Sequence, residues 1–168
     1  RQVIGQPLGV VPTRGAFRQI NFEPLRPQHG LAIGLQPPLV VLDALDDGIF
    51  RAMNDVDFPV ADVLRGIDAA QAAGLAPIKV NMVVKRGTND HEILPMARHF
   101  RGSGTTLRFI EYMDVGATNG WRMDEVLPSA EVVAMLHEAH ALEPLAAKDS
   151  GETAQRWRSR RLHHAARR

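Results

Sequence analysis

Three short apolar segments alternate with amphipathic segments between residues 39 and 145. The apolar segments are 39–43, 78–84 and 107–112, and each has the length of a buried strand. Between them, apolar side chains recur at helical spacing, as in Val60, Val63, Leu64 and Ile67. This order predicts a parallel sheet with right-handed crossovers, either part of an open doubly wound sheet or an arc of a barrel. Three strands alone would leave both sheet edges open.

Capping residues set the expected helix boundaries. Asp46 or Asp47 is expected to cap a short first helix, and Pro59 and Gly74 to bound a longer second helix. Asn89 or Asp90 is expected to cap the third helix, which carries Ile93, Leu94, Met96, Ala97 and Phe100. Ser129 is expected to cap a fourth helix that runs to His137.

The two ends of the chain differ in composition from residues 39–145, which we predict to be the α/β segment. Residues 1–38 hold six of the eleven prolines and show no sustained period, so they are predicted to be irregular, as a non-native or disordered stretch. Residues 146–168 are rich in arginine and are also predicted to be irregular. An anion-binding tail and a plain solvated tail both fit that composition, and we favour the solvated tail.

The bulk composition excludes several classes of site. The chain has 168 residues and a net charge of +1, so no global attraction to nucleic acid or to an anionic membrane is expected. No apolar run is long enough to span a bilayer and no signal peptide is visible, so we expect a cytoplasmic protein. The sequence contains no cysteine, which excludes disulfides, thiolate nucleophiles and cysteine-ligated metal sites within this chain.

Two cationic side chains on the predicted strands lack an obvious packing role. Strand alternation places Lys79 and Asn81 on the face opposite to Val80 and Met82, and Arg108 raises the same question on the third strand. Two cations that face one concavity suit an anionic ligand such as a polyphosphate. The alternative is that each side chain reaches water at a strand end.

Other candidate groups are weaker. Ligands in such sheets bind at the carboxyl ends of strands, which points to Met113, Asp114 and the loop 115–121. The segment 85–90 fits an anion site but also an ordinary turn. His137 and His140 are expected on an exposed face, and no metal site is predicted.

Several runs together resemble GTP 3′,8-cyclase of the radical S-adenosylmethionine superfamily. They are residues 42–47 with 50–54, 78–90, 107–116 with 119–121, and 151–154 with 156–158. The resemblance covers roughly residues 41–158 in the family's order and spacing. It implies an internal-to-C-terminal fragment of the family protein, with an incomplete α/β partial (β/α) barrel of the radical S-adenosylmethionine type.

The resemblance also implies a function and a site. The family converts GTP to the cyclic pyranopterin precursor in molybdenum cofactor biosynthesis, using S-adenosylmethionine and two [4Fe–4S] clusters held by cysteines. By motif, Lys79 and Arg108 correspond to GTP-binding residues and Met113 to a residue that contacts S-adenosylmethionine. Val41 stands where the family has a serine that contacts S-adenosylmethionine.

The missing cysteines separate this chain from the catalytic family members. Because no cluster ligand is present, the resemblance implies no catalytic residue or metal ligand here, and the chain is expected to be inactive alone. The alternatives are a non-catalytic nucleotide-binding or regulatory module and a gene remnant that folds poorly. The expected partners are GTP and S-adenosylmethionine, by resemblance, and a second copy of the chain in a homo-oligomer.

Overall fold

Six strands form one open sheet in the computed structural model, which describes residues 19–23, 38–75, 77–115, 120–147 and 154–159. The strands are β1 (Gln19–Glu23), β2 (Leu39–Val41), β3 (Lys79–Val84), β4 (Thr106–Glu111), β5 (Leu142–Leu145) and β6 (Ala154–Ser159). The helices are α1 (Asp47–Asn54), α2 (Val60–Ala72), α3 (Ile93–Phe100) and α4 (Ser129–His140), with 3₁₀ turns at Asp90–Glu92 and Met123–Glu125. None of the helices in these ranges is long and apolar enough to cross a membrane.

The sheet order is β2-β3-β4-β1-β6-β5. Strands β2, β3 and β4 are parallel neighbours, as the strand–helix alternation predicts. Strand β1 runs antiparallel to β4 and parallel to β6, and β5 runs antiparallel to β6. The α/β class is therefore confirmed, while the described strands form an open mixed sheet that does not close into a barrel.

The prediction of irregular chain ends is wrong at two places. Gln19–Glu23 and Ala154–Ser159 are strands, and β1 occupies the edge of β4 that a three-stranded sheet would leave open. Gln19–Glu23 alternates polar and apolar residues over five positions, and Ala154–Ser159 has only the shorter Arg156-Trp157-Arg158 alternation, which is a weak signal in a short segment. The remaining residues of 1–38 and most of 146–168 lie outside the described part of the chain.

One face of the sheet carries the hydrophobic core. On β3, Val80, Met82 and Val84 are fully buried, and the intervening residues are half-buried. From the other strands, Ile20, Phe22, Leu107 and Phe109 join this cluster, which also holds apolar side chains of all four helices. The period-two alternation therefore fixes which face the helices cover.

The predicted caps hold in part. Asp46 is the N-cap of α1, and its carboxylate accepts a hydrogen bond from the Ile49 amide at 2.9 Å. Pro59 precedes α2, and Gly74 follows it with a positive φ of 77°. The expectation for Ser129 is wrong, because Pro128 is the N-cap of α4 and the Ser129 amide donates to the Glu111 carboxylate at 2.6 Å.

Asn89 is a buried connector between strand ends rather than a side-chain cap. Its Nδ2 donates to the carbonyls of Asp43 and Val83, both at 2.8 Å, and its Oδ1 accepts from the Lys85 amide at 2.8 Å. It precedes the 3₁₀ turn but makes no side-chain cap bond. The fully buried amide thus satisfies three backbone groups at the carboxyl ends of β2 and β3.

We expect Asn89→Ala to lower the free energy of unfolding by about 2–4 kcal/mol, because three backbone groups lose their partner in a dry site. Urea denaturation followed by circular dichroism measures this, and the unsubstituted chain is expected to unfold cooperatively. Gln71→Ala is the matched control, since the half-buried Gln71 amide donates to the Ser103 carbonyl and the Thr105 hydroxyl, away from these strand ends, and its loss should cost about 1 kcal/mol. Equal losses in the two variants would contradict the connector role.

Candidate functional site

The face of the sheet opposite the helices is lined with polar and cationic residues. Register pairing aligns Asn81 of β3 with Arg108 of β4, Arg108 with Asn21 of β1, and Asn21 with Arg156 of β6. These four residues form one row across four adjacent strands, which we call the polar row. It gives the sheet a second, polar face that the hydrophobic cluster does not use.

Arg108 is held in the polar row by a neighbouring strand. Its Nε donates to the Asn21 Oδ1 at 2.8 Å, and the Asn21 side chain is 4% exposed. Arg108 is not in any of the ion pairs found within the described ranges. Among the described residues, its positive charge is therefore held by an amide and is not paired with a carboxylate.

Lys79 shares this face with Arg108. Lys79 pairs with Thr106, and Arg108 lies two residues further along β4, so the two backbone positions are diagonal neighbours roughly 8 Å apart by strand geometry. Both side chains are half-buried. The structure thus brings together the two cations that the sequence singled out.

Strand β6 adds two arginines that the sequence analysis assigned to a solvated tail. Arg156 and Arg158 alternate with Trp157, which packs against the hydrophobic core, so both arginines lie on the polar face. Arg156 donates to the Ala146 carbonyl at 2.9 Å. The signal that identifies them is the Arg-Trp-Arg alternation, which fits a strand with one apolar face.

Met113 lies apart from these cations. It follows the last residue of β4 by two positions, whereas Lys79 begins β3 at the other end of the sheet. Along an extended strand this separates Met113 from Arg108 by roughly 16 Å. Asp114 and Val115 are exposed nearby, and residues 116–119 of the predicted loop lie outside the described ranges.

Val41 ends β2 on the polar face, in register with Asn81. It is 47% exposed, and Leu39 on the same face is 59% exposed. The strand therefore presents apolar surface beside the polar row at the position where the resemblance implies a serine.

Carboxylates cluster at the carboxyl ends of β2 and β3. Asp43 accepts a hydrogen bond from the Val83 amide at 2.7 Å, and Glu92 accepts one from the Leu45 amide at 2.8 Å. Burial raises the pKa of Asp43 from 3.8 to about 6, against the opposing effect of hydrogen bonds from Val83 and Asn54. These carboxylates brace the strand ends and face backbone amides rather than the polar row.

The weaker sequence candidates have structural roles. Lys85 pairs with Glu125 at 3.0 Å and lies over the Tyr112 ring, and Arg86 pairs with Glu131 at 2.9 Å. The cations of the 85–90 segment are therefore engaged with protein groups. This arrangement fits the ordinary-turn interpretation of that segment.

The expectation that His137 and His140 both lie on an exposed face is wrong for His140. His137 is exposed, but His140 is buried and its ring lies 6.0 Å from that of Phe22. Burial lowers the pKa of His140, and the positive charges of Arg101 and Arg98 lower it further. Within the described ranges, no group of three or more histidine, aspartate or glutamate side chains has a geometry that could hold a metal ion.

The fold and this face define an α/β protein with a candidate anion site on one strand face. Comparison with known proteins identifies the relatives. The chain is 46% identical over 127 residues to the GTP 3′,8-cyclase of Acidothermus cellulolyticus, 46% over 123 residues to that of Xanthomonas axonopodis pv. citri, and 40% over 130 residues to that of Staphylococcus saprophyticus. No protein-family model matches the chain.

The chain is a partial-length relative of the GTP 3′,8-cyclases, which confirms the resemblance read from the sequence. The alignments cover 73–76% of this chain but only 35–38% of each relative. The chain therefore spans little more than a third of the cyclases it matches.

The residues present do not fit the iron–sulfur clusters that the family resemblance implies. Such clusters are held by cysteine thiolates, and the full sequence contains none. The groups that this chain offers a ligand are cations and amides on the polar face, which suit an anion and not an iron ion.

Two buried groups should give opposite pH dependences of stability. Asp43 has a raised pKa in the folded chain, so its stabilising contribution is present below pH 4 and is lost as the pH rises through about 6, by up to roughly 3 kcal/mol. His140 has a lowered pKa, so its contribution is lost as the pH falls below about 6.5. Urea denaturation from pH 4 to 8 measures the sum.

The single variants separate the two groups. Asp43→Asn should remove the loss of stability between pH 4 and 6 and leave the His140 contribution, whereas His140→Gln should do the reverse. If the Asp43→Asn curve has the same slope as the unsubstituted chain, the raised pKa of Asp43 is contradicted.

Proposed function

We propose that this chain carries the GTP-binding strand face of a GTP 3′,8-cyclase and does not perform the cyclisation by itself. The observation that supports this most directly is the placement of Lys79 and Arg108 on one face of adjacent parallel strands. Two cations at this spacing suit neighbouring phosphate oxygens of a triphosphate. The cyclases that align with the chain carry GTP in their name, which favours GTP over other polyphosphates.

The absence of cysteine supports the non-catalytic part of the proposal. The radical reaction implied by the family resemblance needs cysteine-held clusters, and this chain has no such ligand. A nucleotide-binding or regulatory module, acting in the cytoplasm and in molybdenum cofactor biosynthesis, is therefore the function we assign. Homo-oligomerisation and binding of S-adenosylmethionine near Met113 are further parts of the same proposal.

Titration calorimetry with GTP tests the assigned cations. We expect Lys79→Ala and Arg108→Ala each to weaken GTP binding by about 10- to 100-fold, because each removes a charge-assisted hydrogen bond to a phosphate. Arg65→Ala is the matched control, since Arg65 pairs with Asp62 on the surface of α2 and its loss should leave affinity unchanged. An affinity for GTP that is unchanged in both Lys79→Ala and Arg108→Ala would overturn the assigned site.

Binding of S-adenosylmethionine forms a separate test. Met113→Ala is expected to weaken it several-fold and to leave GTP binding unchanged, because Met113 lies beyond the end of β4 and far from Arg108. Val41→Ser is expected to strengthen it several-fold, since a hydroxyl then replaces an apolar group at the exposed end of β2. Equilibrium dialysis with labelled S-adenosylmethionine measures both effects, and no change in either variant would refute this part of the proposal.

A further inference from the structure

Strand β1 delivers one buried amide to the polar row. Ile20 and Phe22 lie in the hydrophobic core at 1% and 4% exposure, so strand alternation turns Asn21 toward the opposite face. Asn21 is in register with Arg108 on one side and Arg156 on the other. The Ile-Asn-Phe pattern therefore determines where this amide lies.

The contact between Asn21 and Arg108 restricts the guanidinium group. Because the Asn21 Oδ1 accepts the Nε–H at 2.8 Å, the plane of the guanidinium is anchored at one corner. Within the described part of the chain no hydrogen bond of its two Nη atoms is found, so their four N–H groups can bind an anion in a planar, two-pronged geometry. A guanidinium with a fixed orientation loses less entropy when it binds a phosphate.

The chemistry of the acceptor matters as much as its position. Arg51, Arg65, Arg86 and Arg122 each pair with a carboxylate. An amide oxygen is neutral, so it orients Arg108 without cancelling the positive charge that attracts an anion. An oriented arginine that pairs with no carboxylate among the described residues is well suited to phosphate recognition.

We propose that Asn21 is a positioning residue for the candidate phosphate site, acting through Arg108. The inference rests on the proposed function, and it extends the site to β1, a strand outside the residues that carry the family resemblance. The proposed site then includes the amino-terminal strand as well as residues between 41 and 158, which carry the resemblance. A merely structural role for Asn21 would be to satisfy a half-buried arginine, and the two roles predict different results.

Asn21→Asp separates the two roles. The aspartate keeps an acceptor of the same shape and makes a stronger, charge-assisted bond to Arg108, so urea denaturation should show equal or higher stability. It also neutralises the guanidinium, so affinity for GTP and for inorganic triphosphate should fall by about 10-fold or more, with a weaker dependence on salt. Unchanged affinity in this variant would overturn the proposal and leave only the structural role.

Asn21→Ala and a double-substitution cycle provide the second measurement. Asn21→Ala should weaken both ligands about fivefold, the equivalent of one orienting hydrogen bond. In an Arg108→Lys background, which lacks the Nε–H donor, Asn21→Ala should have no further effect on affinity. The same loss in both backgrounds would contradict an action through Arg108. Asn54→Ala, on a helix of the opposite face, is the control for amide removal.

The two ligands distinguish failure of this inference from failure of the proposed function. If the affinity for GTP depends on Arg108 but is unchanged by substitution of Asn21, the positioning role is refuted and the proposed function is not. If GTP does not bind while inorganic triphosphate binds and depends on both residues, the GTP assignment fails and the positioning role stands. If neither ligand binds to the unsubstituted chain, both are refuted.

Discussion

The buried amide of Asn89 is the interaction on which the parallel part of the sheet depends. It satisfies one carbonyl after β2, one at the end of β3 and the amide of Lys85. Parallel strands end where crossover connections depart, so backbone groups at these ends have no ladder partner. One side chain with two donors and an acceptor meets three of these groups, and Asp43 meets a fourth at the Val83 amide. These hydrogen bonds fix the positions of the strand ends relative to α1, which follows β2, and to the 3₁₀ turn, which follows β3.

Fixing β2 and β3 in this way also fixes the two faces of the sheet. Because Val80 and Met82 are buried in the hydrophobic core, strand alternation places Lys79 and Asn81 on the opposite face of the sheet. A half-buried lysine on a sheet face costs free energy unless its ammonium group has polar or charged partners. The hydrophobic effect therefore places the cations of the polar face, although it contributes nothing to their chemistry. Strand β1 repeats the arrangement, since Ile20 and Phe22 anchor the strand that carries Asn21.

Sequence reasoning recovers β2, β3, β4 and the four helices because their signals are local. A continuous apolar run or a helical repeat such as Val60, Val63 and Ile67 is visible within one element. Strands β1 and β6 were missed because their stabilising partners are distant in sequence, with Asn21 paired to Arg108 and to Arg156. The two cations of the candidate site, Lys79 and Arg108, lie on predicted strands and share one face, while their role as a site stays a prediction. The role of Asn89 was missed, since a capping motif and a buried connector have the same residue type and differ only in tertiary contacts.

Binding a triphosphate and holding an iron–sulfur cluster need different side chains. The backbone register of β3 and β4 places Lys79 and Arg108 on one face of adjacent parallel strands, and the proposed triphosphate site rests on this placement. The iron–sulfur clusters that the family resemblance implies would need thiolate ligands, and this sequence contains no cysteine. Phosphate groups are remote from the reacting atoms of a nucleotide, so contacts to them can contribute binding energy whether or not a reaction follows. The proposal of a binding protein without radical chemistry is therefore consistent with the residues present, and the hydrogen bond from Arg108 to Asn21 links β1 to the proposed surface.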